Sequence, residues 1–310
     1  MDRQLDTLTH RLLHPRVRRL SREVSRTGLD LTPTAHQLEF SDAGITFWES
    51  GTGEPLLLVH GGLCADWFLP VARELRGYRV VRTHRAGYGR SRNLTGSLTV
   101  LDHARHCAEA LRSLRIERAH VVGHSSGASV ALQMAVTHPQ LVRSLVLIEP
   151  ARPHAPDEPP VPAMPRAMNA VAGGRFDDGF DLFLRATCGP GYREAFVQQL
   201  GVDGLAEAIG SSAYFFGHDL PALTEWTFGV REIASVRQPV LLVDGAESVY
   251  FTTSYSQRNR ALACELPNAD QVCVPGVTHA MPLQDPVAVA RTIEGFVRRY
   301  PFTGGHTARR

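Results

Sequence analysis

The sequence predicts an α/β fold, a mostly parallel and doubly wound sheet interrupted by an inserted helical cap. Three observations predict it. Short apolar, strand-like runs alternate with helical spacing from about residue 36 to residue 149. A Pro-rich stretch then opens a region with helical patterns and no convincing strand. Beyond about residue 236 the alternation resumes.

Taken in order, the first 34 residues read as a helical extension of two short amphipathic pieces. Leu5, Leu8, Leu12 and Leu13 recur at helical spacing, and Pro15 starts a second piece carrying Val17, Leu20 and Val24. Arg16, Arg18, Arg19, Arg22 and Arg26 make this extension basic. No aromatic residues interleave, so it reads as the solvated face of a helix docked to the body or to a partner subunit rather than as a phosphate-binding arm. Residues 36–40 and 45–49 read as strands joined by a turn at Asp42, Ala43 and Gly44. Residues 56–60 form a continuous apolar run, as expected of a strand buried on both faces. A helix over 65–75, a strand over 79–83, a helix over 101–114, a strand over 119–123, a helix over 128–137 and a strand over 145–149 complete the first half. Pro150, Pro153, Pro156, Pro159, Pro160, Pro162 and Pro165 can continue neither sheet nor helix and mark a linker. The cap spans 151–235. It is rich in aromatics, among them Phe176, Phe183, Phe215 and Trp226. The main domain comprises 35–150 and 236–300, with strands over 240–244 and 271–274 and a closing helix over 286–298. Residues 301–310 are a tail.

A chain of 310 residues with a formal charge of +2 gives no reason to expect a nucleic-acid or membrane partner. The five Cys are scattered without a Cys-x-x-Cys pair, which fits free thiols in a reducing compartment. The charged N-terminus does not read as a secretory signal, and no stretch is long and apolar enough to span a bilayer. A cytoplasmic enzyme, alone or as a homo-oligomer, is the default expectation.

The strongest chemical signal is Gly123-His124-Ser125-Ser126-Gly127, placed between a predicted strand and a predicted helix. In that context G-x-S-x-G is a nucleophile elbow, which lifts the Ser125 hydroxyl to a helix N-terminus where negative charge is favoured. The second signal is His60-Gly61-Gly62 at the end of a predicted strand. Acyl transfer needs two N–H donors for the tetrahedral oxygen. The Ser126 amide supplies one, and Gly62 can supply the other because no Cβ blocks its approach. The third is Gly276-Val277-Thr278-His279, just after the last predicted strand. Among 14 His, position singles out His279 as the base. His60, His84 and His124 read as structural or pocket-lining.

Together with Arg85-Ala86-Gly87-Tyr88-Gly89-Arg90-Ser91, these motifs resemble the α/β-hydrolase superfamily from about residue 36 to residue 300. The resemblance implies that fold, with its helical cap after the sixth strand, and says little of the substrate. One departure matters. The usual family acid follows the seventh strand as Gly-x-x-Asp, and here that stretch reads Gly245-Ala246-Glu247-Ser248. Asp244 and Glu247 are nearby carboxylates. Glu149 ends the neighbouring sixth strand, where a subset of the superfamily, the zearalenone lactonases, places its acid. The chain resembles that subset from Gly123 through Ala128 and Ser129, at Glu149-Pro150, and in lacking an Asp in the loop around Gly245 to Phe251. Glu149 is therefore the favoured acid, with Asp244 and Glu247 as alternatives.

The resulting expectation is a serine hydrolase cleaving an ester or lactone of a hydrophobic small molecule through Ser125, His279 and Glu149, with no metal and no cofactor. Leu63 and Trp226 are the candidate substrate-binding residues. Asp at position 125 would be wanted by a dehalogenase or an epoxide hydrolase, which disfavours both. Two rivals remain: a carbon–carbon bond hydrolase or cofactor-free perhydrolase with the same triad, and a receptor of this fold that binds a ligand without turning it over.

Overall fold

The computed structural model describes residues 17–21 as backbone, and residues 33–152, 158, 161 and 163–302 in full. Its strands are β1 (Val17–Ser21), β2 (Thr34–Glu39), β3 (Ala43–Ser50), β4 (Glu54–Val59), β5 (Tyr78–Thr83), β6 (Arg92–Asn93), β7 (Ala119–His124), β8 (Val142–Ile148), β9 (Val240–Gly245) and β10 (Ala269–Val274). Nine lie in the order β1-β2-β3-β5-β4-β7-β8-β9-β10, and the two-residue β6 pairs with β3. From β1 to β5 neighbours run antiparallel. From β5 to β10 they run parallel. The expected doubly wound, mostly parallel sheet is present.

Strand alternation explains the layers. Leu57, Val59, Leu145, Leu147, Val240 and Leu242 face a core shared with α2 (Val100–Ser113) and α3 (Ser126–Thr137). Leu56, Leu58, Val146, Ile148, Leu241 and Val243 face the opposite core, shared with α1 (Leu69–Glu74) and α12 (Pro286–Val297). Both faces are covered, so the strands read as unbroken apolar runs. Each such Leu or Val contributes about 1.5–3 kcal/mol by leaving water.

Between β8 and β9 stand α4 (Met164–Ala172), α5 (Phe176–Cys188), α6 (Tyr192–Gly210), α7 (Ser212–Tyr214), a π-helical turn (Phe215–Asp219), α8 (Leu220–Glu225) and α9 (Val230–Ser235). They carry a third apolar cluster, which includes Phe180, Tyr192, Phe196 and Phe215 together with Leu63 and Trp67 of the main domain. After β9 come α10 (Ser254–Glu265) and, ahead of α12, the short α11 (Met281–Gln284). No helix among the described residues is long and apolar enough to cross a membrane.

Two expectations need correction. The second N-terminal helix is, over Val17–Ser21, a strand that pairs antiparallel with β2, Val17 opposite Leu38. The Val17 and Leu20 spacing suited a helix, but β2 offered an open edge whose backbone groups needed partners. The first helical piece and Val24 lie outside the described residues, as do residues 153–157 and 303–310. The expected helix over 65–75 begins only at Leu69, with Pro70 in its first turn. α10 has no counterpart in the sequence reading. Its buried face is Ser254, Tyr255, Arg258, Asn259 and Leu262, a stripe at helical spacing that is mostly polar and so leaves no hydrophobic period.

Candidate active site

The turn between β7 and α3 holds Ser125 at φ 53° and ψ −121°, a conformation that L side chains rarely adopt and that costs on the order of 1–3 kcal/mol. The flanking glycines permit it. A Cβ on Gly123 would lie 2.5 Å from the Ala128 Cα and the Gly127 carbonyl oxygen, and one on Gly127 would lie 2.2 Å from the Val59 carbonyl oxygen. The Ser125 N–H donates to the Ile148 carbonyl (2.9 Å), and the Ala151 N–H donates to the Ser125 carbonyl (3.1 Å). The elbow is thus pinned to the end of β8.

Directly after β8, Glu149 has φ 42° and is fully buried. Its Oε1 accepts the Gly245 N–H at 2.8 Å. Its Oε2 lies 2.7 Å from His279 Nδ1, which donates as the N–H of a neutral imidazole and so leaves Nε2 as the basic nitrogen. His279 sits in the loop after β10. Tyr255 of α10 stacks on its ring (4.0 Å between centroids, 6° between planes), and the His124 ring lies 4.6 Å away. His124 Nε2–H donates to the His279 carbonyl at 2.9 Å. The Thr278 hydroxyl donates to the Cys188 carbonyl (2.8 Å), tying the loop to the end of α5.

Burial drives both partners towards neutrality. It pushes the Glu149 carboxyl up to about 7, against the pull of the Ser248 hydroxyl, the Gly245 amide and Arg258. It pulls the His279 imidazolium down to about 3, with Arg258 adding to the fall. Ser248 is buried with no hydrogen-bond partner of good geometry for its hydroxyl among the described residues, yet lies close enough to favour the ionised Glu149. Two groups in such contact titrate as a unit.

The other two candidate acids do not meet His279. Asp244 accepts from Asn259 Nδ2 and Gln271 Nε2, both at 2.8 Å. The Glu247 side chain makes no hydrogen bond or ion pair among the described residues, and its backbone N–H donates to the Val277 carbonyl.

His60 orients the Gly61–Gly62 peptide. His60 Nε2 accepts the Arg85 N–H (2.8 Å), so its Nδ1 carries the proton and donates to the Gly61 carbonyl (2.6 Å). In a trans peptide the Gly62 N–H then points away from His60. The Gly62 carbonyl is fixed by the Trp67 indole N–H (2.8 Å) and the Cys64 N–H (2.9 Å). Ser126 opens α3, so its N–H has no acceptor within the helix.

A cavity of about 770 Å³ is lined by Ser125 and Ser126 and walled by apolar side chains such as Met164, Phe183, Phe215 and Leu223. Its charged groups include Arg152 and the buried pair of Arg258 with Glu158. Neither expected substrate-binding residue lines it. Leu63 is 1 % exposed within the third apolar cluster, at φ 67°. Trp226 packs on Phe228 and on the sheet core, its indole N–H donating to Gln133 (2.7 Å). Both spend their apolar surface on packing. Tyr255, Arg258 and Phe215 line the cavity instead. Among the described residues, no group of three or more His, Cys, Asp or Glu is disposed to hold a metal ion.

The model of the alpha/beta hydrolase fold family matches residues 54–187. The 2-hydroxymuconate semialdehyde hydrolase of Pseudomonas sp. (strain CF600) is 31% identical over 185 residues, 52% of this chain and 65% of that protein, so the chain spans just under two thirds of its length. RutD of Pseudomonas savastanoi pv. phaseolicola (strain 1448A / Race 6), named for carbamate hydrolysis, is 27% identical over 269 residues, 84% of this chain and 96% of that protein. Among solved structures, an alpha/beta hydrolase from Sphaerobacter thermophilus DSM 20745 superposes with a TM-score of 0.65 at 27% identity, covering 82% of this chain and 96% of that one.

Proposed function

Because the chain belongs to the α/β-hydrolase superfamily, we propose that it is a serine hydrolase acting on an ester or lactone with a hydrophobic body. The observation that carries this reading is the buried 2.7 Å contact of Glu149 with His279, beside a strained Ser125 that opens onto an apolar cavity.

The reaction follows from these positions. His279 Nε2 takes the Ser125 proton as Oγ attacks the carbonyl carbon. The Glu149 carboxylate holds the Nδ1–H tautomer and stabilises the imidazolium that forms. The Gly62 and Ser126 N–H groups receive the oxyanion. As the tetrahedral species collapses, the imidazolium returns its proton to the leaving alcohol, which stays tethered when the substrate is a lactone. Water then attacks the acyl-enzyme, with His279 again as base. The mostly apolar cavity wall favours an aliphatic or aromatic acyl or alkoxy group.

A carbon–carbon bond hydrolase using the same groups is the second reading, and the 31% likeness to 2-hydroxymuconate semialdehyde hydrolase favours it. A panel of esters, lactones and vinylogous diketones separates the two. The test of either is covalent. A fluorophosphonate should label one residue, Ser125, and Ser125→Ala should lose label and turnover by several orders of magnitude while keeping its melting temperature. A folded Ser125→Ala protein that keeps most of its activity would remove Ser125 from the mechanism.

A further inference from the structure

Arg85 follows β5 and is buried to 3 % exposure. Its guanidinium makes a two-pronged contact with Asp219 (Nη1 to Oδ1 and Nη2 to Oδ2, each 2.8 Å). The same Nη2 donates to the Ser126 hydroxyl (2.7 Å), and Nε donates to the His60 carbonyl (3.1 Å). The Tyr88 hydroxyl donates to Asp219 Oδ2 at 2.8 Å. Burial alone would raise the Asp219 carboxyl, but the guanidinium against it holds it well below the usual carboxylate range, so the pair is ionic.

The placement is what gives this pair a role. Ser126 and the loop after His60 carry the two oxyanion donors assigned above. Asp219 belongs to neither; it ends the π-helical turn of the helical segment between β8 and β9. The start of that turn touches the same site. A Cβ on Gly62 would lie 2.4 Å from the Phe215 ring, so that ring rests on the Gly62 backbone. π-helical turns recur at functional sites, since the extra residue per turn re-aims side chains. Here the turn sets Phe215 on one donor and Asp219 on the other, both through Arg85 and directly, the Ser126 hydroxyl donating to Asp219 Oδ2 at 3.3 Å.

We propose that Arg85 and Asp219 are positioning residues through which the helical segment holds both halves of the oxyanion hole in register. Neither lines the cavity. Arg85 spans the His60 carbonyl and the Ser126 hydroxyl, and Asp219 fixes the guanidinium that does the spanning. The inference rests on the proposed assignment of Gly62 and Ser126 as donors. It adds that docking of the segment and the competence of the donors are one event.

The experiment compares Asp219→Asn with Tyr88→Phe, a milder change that removes one bond to Asp219 and leaves every charge in place. Each protein is titrated to its fluorophosphonate endpoint, so that kcat is expressed per reactive site and misfolded protein drops out. Removing an oxyanion donor outright costs about 10²–10³-fold in kcat. Loosening both should cost about ten- to hundredfold in Asp219→Asn, and about fivefold in Tyr88→Phe. KM should stay nearly constant, and a trifluoromethyl ketone, which resembles the tetrahedral species, should lose affinity in proportion to kcat. If kcat per titrated site and ketone affinity are unchanged in both variants while melting temperatures fall, the pair is only structural and the proposal is wrong. Failure of the parent reading looks different, because wild-type protein would then take no label at Ser125.

Discussion

The carboxyl ends of β8 and β9 lie side by side, and each bears a buried carboxylate, Glu149 on one and Asp244 on the other. Burial raises both, Glu149 to about 7 and Asp244 to about 6. Yet only Glu149 meets His279. The difference is one of backbone. Asp244 is still inside β9, so strand alternation sends it to the Leu242 side of the sheet, where Asn259 of α10 and Gln271 of β10 occupy it. Glu149 has left β8, and its left-handed φ breaks the alternation. Burial and charge make a carboxylate a candidate for an active site; the turn it stands on decides whether it serves.

The largest expected effect tests that difference directly. Glu149→Gln keeps the shape and removes the negative charge, and a comparable change in a serine protease costs about 10⁴-fold. A loss of kcat of about 10²–10⁴-fold is expected in Glu149→Gln, against about threefold in Asp244→Asn or Glu247→Gln. Kinetics on folded, titrated protein check it. A nearly silent Glu149→Gln beside a crippled Asp244→Asn would reverse the assignment.

A smaller effect sharpens the comparison. Ser248 stands where the resemblance leads one to expect Asp, and its buried hydroxyl lies near Glu149. In a Glu149→Gln background, Ser248→Asp should restore activity by about tenfold, because an acid on the β9 side would again face the same imidazole. If a folded double variant regains nothing, the β9 loop cannot reach His279, and only β8 can carry the acid.

Much of this was legible in the sequence, for identifiable reasons. The Ser125 elbow and the His60-Gly61-Gly62 loop are local, because tight turns demand glycine at fixed offsets. The case for Glu149 over Asp244 came from an absence at Ser248. The parallel strands announced themselves as apolar runs, since both faces are covered. The rest depended on contacts between distant residues. Asp219 lies 134 residues from Arg85, and nothing in its neighbourhood distinguishes it from the other acidic residues of that segment. The face of α10 that brings Tyr255 to His279 is polar, so no hydrophobic period betrayed it. Trp226 carried the right composition for a pocket but spends its ring on Phe228 and its N–H on Gln133. Val17–Ser21 became a strand because β2 had an edge to fill, which no propensity reveals.

The most direct test of the Glu149–His279 pair is the pH dependence of kcat/KM in wild-type protein and Glu149→Gln. In the proposed mechanism the free pair must lose its extra proton before His279 can accept one from Ser125. Burial raises the Glu149 carboxyl to about 7, so wild-type kcat/KM should rise through the neutral range and level off above it. Without the carboxyl, His279 titrates alone, and burial lowers it far below the usual imidazole value of 6.5. The limb in Glu149→Gln should therefore move down by more than about one pH unit, on a much lower plateau. An unmoved limb in Glu149→Gln, or one that moves only in Asp244→Asn, would contradict the pairing of Glu149 with His279.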